Sequence, residues 1–232
     1  MAETVYQWLR ENGFEAELQQ LLPDRANVIG YLRGSGTGRS LLFNSHMDTE
    51  ITGEAELPWV TTGGVDINQT GGIRQGTRIY GHTVLNDRGP MAAFLMAAKA
   101  LKEAGVPLSG DLILTGVVGE IGMAPVDEWQ GLSYDGKGFG SRNLIHRGIR
   151  ADFALVAETT GFALSWVECG ALYLKVSIPG RAMYTPRSNR GEQIQDHPNA
   201  IVRAARVVEA IEDWGRSYEV QRSRSCSCGR IV

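Results

Sequence analysis

The sequence lacks the features that would place it in a membrane, on a secretory route or on a nucleic acid. None of its apolar runs reaches the roughly 18 residues that a transmembrane helix needs. Residues 1–4 have neither the basic start nor the apolar core of a signal peptide. The net charge is −3, so the balance does not indicate a polyanion partner. We therefore expect a cytoplasmic protein with no membrane or nucleic-acid partner.

Cysteine is also scarce, whereas glycine is abundant. The three cysteines are Cys169, Cys226 and Cys228, an odd set that does not form a disulfide framework and indicates a reducing compartment. Cys226 and Cys228 lack the second thiol pair that a structural zinc site needs. The 29 glycines indicate many tight turns, which often surround a functional site.

Along most of the chain, segments whose apolar residues have the spacing of a helix alternate with segments whose apolar residues have the spacing of a strand. Strands are predicted at 27–32, 41–44, 78–80, 111–118, 153–157 and 171–178, and helices at 5–13, 90–104, 144–148 (as a helix end) and 199–214. The alternation predicts an α/β architecture with a mainly parallel sheet. The polar, glycine-rich stretch 50–76 is interpreted as a surface excursion, and a composition shift near Gly170 as the start of a second module.

Candidate ligands follow several of the predicted strands. They are His46 with Asp48, then Asn86 or Asp87, then Glu120, and finally Glu158. In open α/β sheets, functional groups gather at the carboxyl ends of the strands. Each segment also has an ordinary alternative, such as a turn histidine, a helix-capping Asn86 or Asp87, or a surface glutamate. His82 is interpreted as a neighbour of the site.

Taken together, these residues indicate a metal centre. One histidine with an aspartate and two glutamates is a mixed nitrogen and oxygen set that suits zinc, manganese or cobalt. Asp48, two residues after His46, suits a partner that orients the imidazole.

The same segments resemble the metallopeptidase and deacylase family of acetylornithine deacetylase, succinyl-diaminopimelate desuccinylase, carboxypeptidase G and carnosine dipeptidase. Residues 41–49 resemble its strand followed by Gly-His-x-Asp, and 80–90 its glycine-rich segment ending in Asp-x-Lys-Gly. Residues 119–122 resemble its Glu-Glu-x-Gly, and 158–160 its Glu-Pro-Thr. The resemblance extends from Val5 to Trp214.

This resemblance implies a fold and an activity. The fold would be a three-layer helix/sheet/helix zinc-peptidase-like catalytic domain over 1–169, then an incomplete α+β, ferredoxin-like lid domain over 170–216 and an unstructured tail over 217–232. The activity would be hydrolysis of amide bonds in N-acyl amino acids or small dipeptides, with water activated by two Zn²⁺ ions, or by Co²⁺ or Mn²⁺. The full-length family form would be a homodimer.

The resemblance also implies roles for single residues. The metal ligands would be His46, Asp87, Glu120 and Glu158. Asp48 and Glu120 would be catalytic, and Tyr184 would contact the substrate, at a position where the family usually has a histidine.

Several departures favour an alternative, a truncated and catalytically inactive family member with a partial, weak metal site. Asn86 occupies the position of the bridging aspartate, with Asp87 one residue late, and whether Asn86 or Asp87 faces the metals stays open. Gly119 stands where the family has its general-base glutamate. A last histidine ligand has no counterpart in the sequence, which is why we expect a shortened chain.

Overall fold

The computed structural model describes residues 1–49, 61–62, 65–66, 72–81, 84–121, 136–158, 160–166, 174–184, 186 and 189–225, with the backbone alone at 61–62, 65–66 and 218–225. The chain forms two compact units, Met1–Phe162 and Ala163–Val232. No helix in these ranges is both long enough and apolar enough to cross a membrane.

The first unit contains nine strands and three helices within the described ranges. In chain order they are α1 (Ala2–Glu11), β1 (Glu15–Leu22), β2 (Arg25–Leu32), β3 (Leu41–His46), β4 (Thr61–Thr62), β5 (Val65–Asp66), β6 (Ile73–Gln75), β7 (Arg78–Tyr80), α2 (Gly89–Glu103), β8 (Leu112–Val117), α3 (Phe139–His146) and β9 (Phe153–Val156). Strands β4 to β7 form two small antiparallel pairs, so the stretch predicted as an excursion over 50–76 also contains short strands.

A mixed five-stranded sheet, in the order β1-β2-β8-β3-β9, forms the centre of this unit. Strand β3 runs parallel to both β8 and β9, whereas β1 and β2 join antiparallel. The prediction of a mainly parallel sheet is therefore wrong for β1 and β2. Strand β1 was not predicted because its sequence, rich in Glu and Gln, lacks an apolar alternation.

Helices cover both faces of the central sheet, which confirms the predicted mixed α/β architecture of this unit. On one face, Leu9 of α1 and Phe94 of α2 pack with Val28 and Leu114, and the ring of Phe94 stacks on Phe43 at 5.4 Å. On the other face, Leu144 of α3 packs in a cluster with four sheet residues, Ile29, Leu42, Ile113 and Val117. The central strand β8 is buried along its whole length, so its apolar side chains pack on both faces of the sheet.

The second unit has a different organisation, and two predictions fail there. Residues 174–178 form no strand, so the strand predicted at 171–178 is wrong in that part, while 171–173 lie outside the described residues. The predicted helix at 199–214 is present as α4, but it runs over Ala200–Ser225. The tail predicted as unstructured from residue 217 is therefore helical as far as Ser225, because the sequence there keeps good helix formers such as Glu219, Gln221 and Arg222.

The boundary between the two units also differs from the predicted one. The division lies after Phe162, whereas the sequence placed it after Cys169. The assignment of the second unit to a lid domain stays a prediction.

Candidate metal centre

The centre lies where strands β3, β8 and β9 end. The parallel register pairs His46 with Val117 and Asn44 with Val156, so the segments that follow these strands come out at the same edge of the sheet. This is the edge at which ligand groups gather in open α/β sheets. The structure thereby brings together segments that are far apart in the chain.

His46 is the buried nitrogen donor of the cluster. Its side chain is almost fully enclosed, and Nδ1 lies 2.8 Å from the backbone carbonyl oxygen of Asp48. A carbonyl can only accept, so Nδ1 carries a proton and donates it. Nε2 is then the ring nitrogen that faces the carboxylates around it.

Asn86 and Asp87 both lie beside His46, and which of them would face a metal stays a prediction. The segment Val84–Arg88 before α2 is irregular, with non-helical backbone at Asn86 and Asp87. His46 Nε2 lies 2.6 Å from Oδ1 of Asn86. The amide oxygen of Asn86 therefore lies next to the ring nitrogen that is left to bind a metal ion.

Asp87 lies beneath this contact, fully buried. Ser45 Oγ donates a hydrogen bond of 2.5 Å to Oδ2, and Oδ1 has no hydrogen-bond partner among the described residues. Burial raises the pKa of Asp87 to about 6, and the Glu158 carboxylate contributes to the rise, whereas Ser45 and His46 oppose it. A buried carboxylate oxygen that accepts no hydrogen bond from the described residues is a group that a bound cation would stabilise.

Glu120 and Glu158 complete the cluster from its open side. His46 Nε2 lies 3.8 Å from Glu120 Oε2 and 3.8 Å from Glu158 Oε1. Their side chains are 44% and 40% exposed, so both can reach solvent and an incoming ligand. Ligand atoms of His46, Asp87 and Glu158 lie within 4.8 Å of one another, a spacing that one divalent cation can draw together.

Asp48 holds the loop after β8. Its carboxylate accepts hydrogen bonds from the backbone N–H groups of Glu120, at 3.3 Å, and Ile121, at 3.0 Å. Its Oδ1 is 3.8 Å from His46 Nδ1, whereas its backbone carbonyl is closer. Asp48 thus positions both His46 and Glu120, and its predicted catalytic role stays a prediction.

Gly119, where the resemblance expects a general base, has a backbone role. Its φ of +76° lies in the left-handed region that favours glycine. Its carbonyl oxygen accepts hydrogen bonds from the N–H groups of Gly138 and Phe139, at 2.9 and 3.0 Å, at the start of α3. The turn therefore connects the end of β8 to α3 and directs Glu120 toward the cluster.

Two residues that support the centre were missed by the sequence analysis. Ser45 binds Asp87, and Asn27, fully buried in β2, joins three elements. Asn27 Nδ2 donates to Gln19 Oε1 and to the carbonyl of Gly140, and its Oδ1 accepts from the N–H of Val118. The available signal was a lone polar residue within an apolar strand, because such a residue must find hydrogen-bond partners in the core.

The remaining predicted residues lie in the second unit or outside the described residues. Tyr184, predicted to contact the substrate, lies exposed in the second unit, and its role stays a prediction. His82, Gly122 and Thr159 lie outside the described residues, as do Cys169, Cys226 and Cys228.

Comparison with known proteins identifies relatives of matching chemistry, although no family model matches the chain. The chain is 31% identical over 172 residues to the N-formyl-4-amino-5-aminomethyl-2-methylpyrimidine deformylase of Bacillus subtilis strain 168, covering 69% of this chain and 35% of the relative. It is 31% identical over 188 residues to carboxypeptidase G2 of Pseudomonas sp. strain RS-16, covering 78% of this chain and 37% of the relative.

Human carnosine dipeptidase 1 is among the similar solved structures, with a TM-score of 0.46 and 16% identity over 77% of this chain and 33% of that one. The chain spans about a third of the length of the curated relatives it matches. The sequence relatives match the family that the motifs around His46, Asp87, Glu120 and Glu158 resemble. The chain belongs to the M20 family of metallopeptidases and related deacylases.

Proposed function

We propose that this chain carries the metal-binding part of a metal-dependent hydrolase that cleaves amide bonds in small N-acyl amino acids or dipeptides. The observation that supports it best is the cluster of His46, Asp87 and Glu158, whose ligand atoms lie within 4.8 Å of one another. The relatives are named as a deformylase and a carboxypeptidase, and both names describe cleavage of an acyl–nitrogen bond. The partner is accordingly a small-molecule substrate.

The residues present fit a divalent cation, with zinc as the first choice and cobalt or manganese as alternatives. Oδ1 of Asp87, which is buried and has no hydrogen-bond partner among the described residues, and Nε2 of His46 are ligand atoms that such an ion would satisfy. When bound, the ion would supply Lewis acidity, which polarises a substrate carbonyl and lowers the pKa of a water.

The protein residues would then bind, orient and move a proton. The Asp48 carbonyl keeps the His46 ring in the tautomer that binds metal, and Ser45 holds the Asp87 carboxylate. Glu120 is partly exposed and lies outside the His46, Asp87 and Glu158 group, so its Oε2 is our candidate for the atom that accepts the proton of the attacking water.

Part of the proposal concerns the family form and not the described cluster. For the family form, family membership leads us to propose four further features. They are a two-zinc centre, a lid domain over 170–216, a homodimer, and substrate contact by Tyr184.

A second candidate function is metal binding without hydrolysis, favoured by Gly119. A glycine cannot take up a proton, and in this structure its backbone is committed to the turn before α3. If Glu120 binds the metal as a ligand, the site would hold an ion but lack a base.

Amine release from a panel of N-formyl and N-acetyl amino acids and dipeptides, measured on the zinc-loaded 232-residue chain, separates the two candidates. The hydrolase predicts zinc-dependent release that falls by about 10²-fold or more in Glu120→Gln. The matched control Glu209→Gln, which removes an exposed carboxylate of α4, should leave the rate unchanged. Zinc binding without release from any substrate would contradict the hydrolase and support the second candidate.

A further inference from the structure

We infer that the cluster of His46, Asp87 and Glu158 holds one divalent cation and not two cations bridged by a carboxylate. In this inference Asp87 is a ligand of the ion, and Asn86 is the residue that limits the number of ions to one. The inference rests on the metal centre of the proposed function and concerns how many ions that centre takes. It departs from the two-ion form that the resemblance implies.

The described ligand atoms suit a single ion. One ring nitrogen of His46 and one carboxylate oxygen each of Asp87 and Glu158 lie within 4.8 Å of one another, and Glu120 is not part of that group. In a two-metal site the two ions lie about 3.5–4 Å apart. A second cation at that distance would repel the first strongly unless an anion lay between them.

Asn86 occupies the position where that anion would be needed. Its side-chain amide lies against His46 Nε2, at 2.6 Å, and therefore next to the coordinating nitrogen. An amide offers an oxygen dipole but no charge, so it can complete the coordination of one ion without offsetting the repulsion between two.

Asp87 is placed to bind one ion through one oxygen. Its Oδ2 accepts the 2.5 Å hydrogen bond from Ser45, and the residue is fully buried, so the protein fixes that side of the carboxylate. Oδ1, which has no hydrogen-bond partner among the described residues, is the oxygen that a single ion would satisfy.

Glu120 is then available for a role other than binding a second ion. Its carboxylate is 44% exposed and lies 3.8 Å from His46 Nε2, while its backbone is held by Asp48. This position suits a group beside one ion, where it can exchange a proton with water.

The number of ions is a direct test. The purified chain is saturated with zinc, dialysed and analysed for zinc by mass spectrometry, and the binding isotherm is recorded by calorimetry. We expect one zinc per chain in the wild type. Asn86→Asp, which adds a carboxylate beside His46 Nε2, should raise the count to two.

Two matched variants define the origin of the effect. Asn189→Asp makes the same chemical change at an exposed position of the second unit, and it should keep the count at one. Glu158→Gln removes one ligand charge and should weaken zinc binding by about 10–100-fold or more, the range seen when groups that support a metal site are lost.

Each outcome decides the inference. Two tightly held ions in the wild type would overturn it, and so would no bound ion at all. A count of one in both the wild type and a folded Asn86→Asp would show that Asn86 does not set the number. Should Asn86→Asp not fold by circular dichroism, the wild-type count and Glu158→Gln still decide whether a single ion is bound. One ion without hydrolysis would remove the proposed activity and leave this inference intact.

Discussion

The two units of the chain bury their apolar side chains to very different degrees. In Met1–Phe162, Leu9, Ile29 and Leu114 are enclosed between the sheet and its helices. In Ala163–Val232, large side chains of α4 such as Ile201 and Trp214 remain exposed. Both units carry exposed ion pairs, Arg33 with Glu15 in the first and Arg206 with Glu209 on α4, and the first unit also encloses the carboxylate of Asp87 at its sheet edge.

This difference shows what a metal site requires of its surroundings. A buried Asp87 is tolerated only where packed layers hold Ser45 and His46 in place around it. The exposed pair of Arg206 and Glu209 on α4 contributes little, because water screens both charges. The two units can therefore be compared by matched substitutions.

The largest expected effect on the free energy of unfolding comes from truncating one isoleucine to alanine in each unit. Ile29→Ala opens a cavity between sheet and helix and should lower the free energy of unfolding by about 2–5 kcal/mol. Ile201→Ala, at a residue that is 78% exposed, should change it by less than about 0.5 kcal/mol. Urea unfolding followed by circular dichroism measures both, and equal losses would contradict the contrast between the units.

Removal of a buried hydrogen-bonding network should have the next largest effect. Asn27→Ala leaves the N–H of Val118 and the carbonyl of Gly140 without their buried partner and should cost about 1–3 kcal/mol of unfolding free energy. Asn189→Ala, whose side chain accepts a hydrogen bond at the surface, is the control with an expected loss below about 0.5 kcal/mol. If both variants unfold at the wild-type urea concentration, Asn27 does not stabilise the sheet.

A pair of glycine substitutions should change stability in opposite directions. A Cβ on Gly140 would lie 2.3 Å from the carbonyl oxygen of Val118, so Gly140→Ala should destabilise by about 1–3 kcal/mol. A Cβ on Gly215 of α4 meets nothing within 4 Å, so Gly215→Ala should stabilise the helix by about 0.5–1 kcal/mol. Thermal unfolding of both variants gives the signs, and a shift of both in the same direction would refute this prediction.

The smallest expected effect concerns pH and Tyr31 of β2. Burial raises the pKa of Tyr31 from 10 to about 12, and Glu17, which accepts its hydroxyl hydrogen bond, contributes to the rise. Between these values the unfolded chain has released the proton and the folded chain has not. The folded state thus binds more protons, and the free energy of unfolding falls as pH rises from 10 toward 12.

Urea titrations at about pH 9 and about pH 11 detect this fall. In Tyr31→Phe the fall should be smaller, because the residue that retains its proton is gone. Tyr184→Phe removes an exposed tyrosine of the second unit and serves as the matched control. An unchanged pH dependence in Tyr31→Phe would show that another group is responsible.

Much of the first unit was predictable from local patterns, whereas in the second unit the helix α4 was predicted and the strand was not. Strands β2, β3, β8 and β9 were predicted because apolar runs between turn residues are strong signals. The strand predicted at 171–178 failed in its described part, where the apolar Leu174 and Val176 are exposed. An apolar pattern is therefore not sufficient for a strand, since a strand also needs a neighbour to complete its hydrogen bonds.

The candidate site shows the same limit at the level of single residues. His46, Glu120 and Glu158 could be proposed because each follows an apolar strand, where functional groups gather. Ser45 and Asn27 could not be given a role, because a hydrogen bond between elements depends on packing and not on spacing along the chain.

The sequence by itself determined strands β2, β3, β8 and β9 and helices α1 and α2 of the first unit, the residue types available as ligands, and the family to which they belong. Local apolar spacing and short motifs are enough for these, since they depend on neighbouring residues. Only the tertiary structure decided that Asn86 contacts His46 while Asp87 is buried against Ser45. Strand register and helix packing set those distances, because they alone bring groups from separate parts of the chain within bonding range.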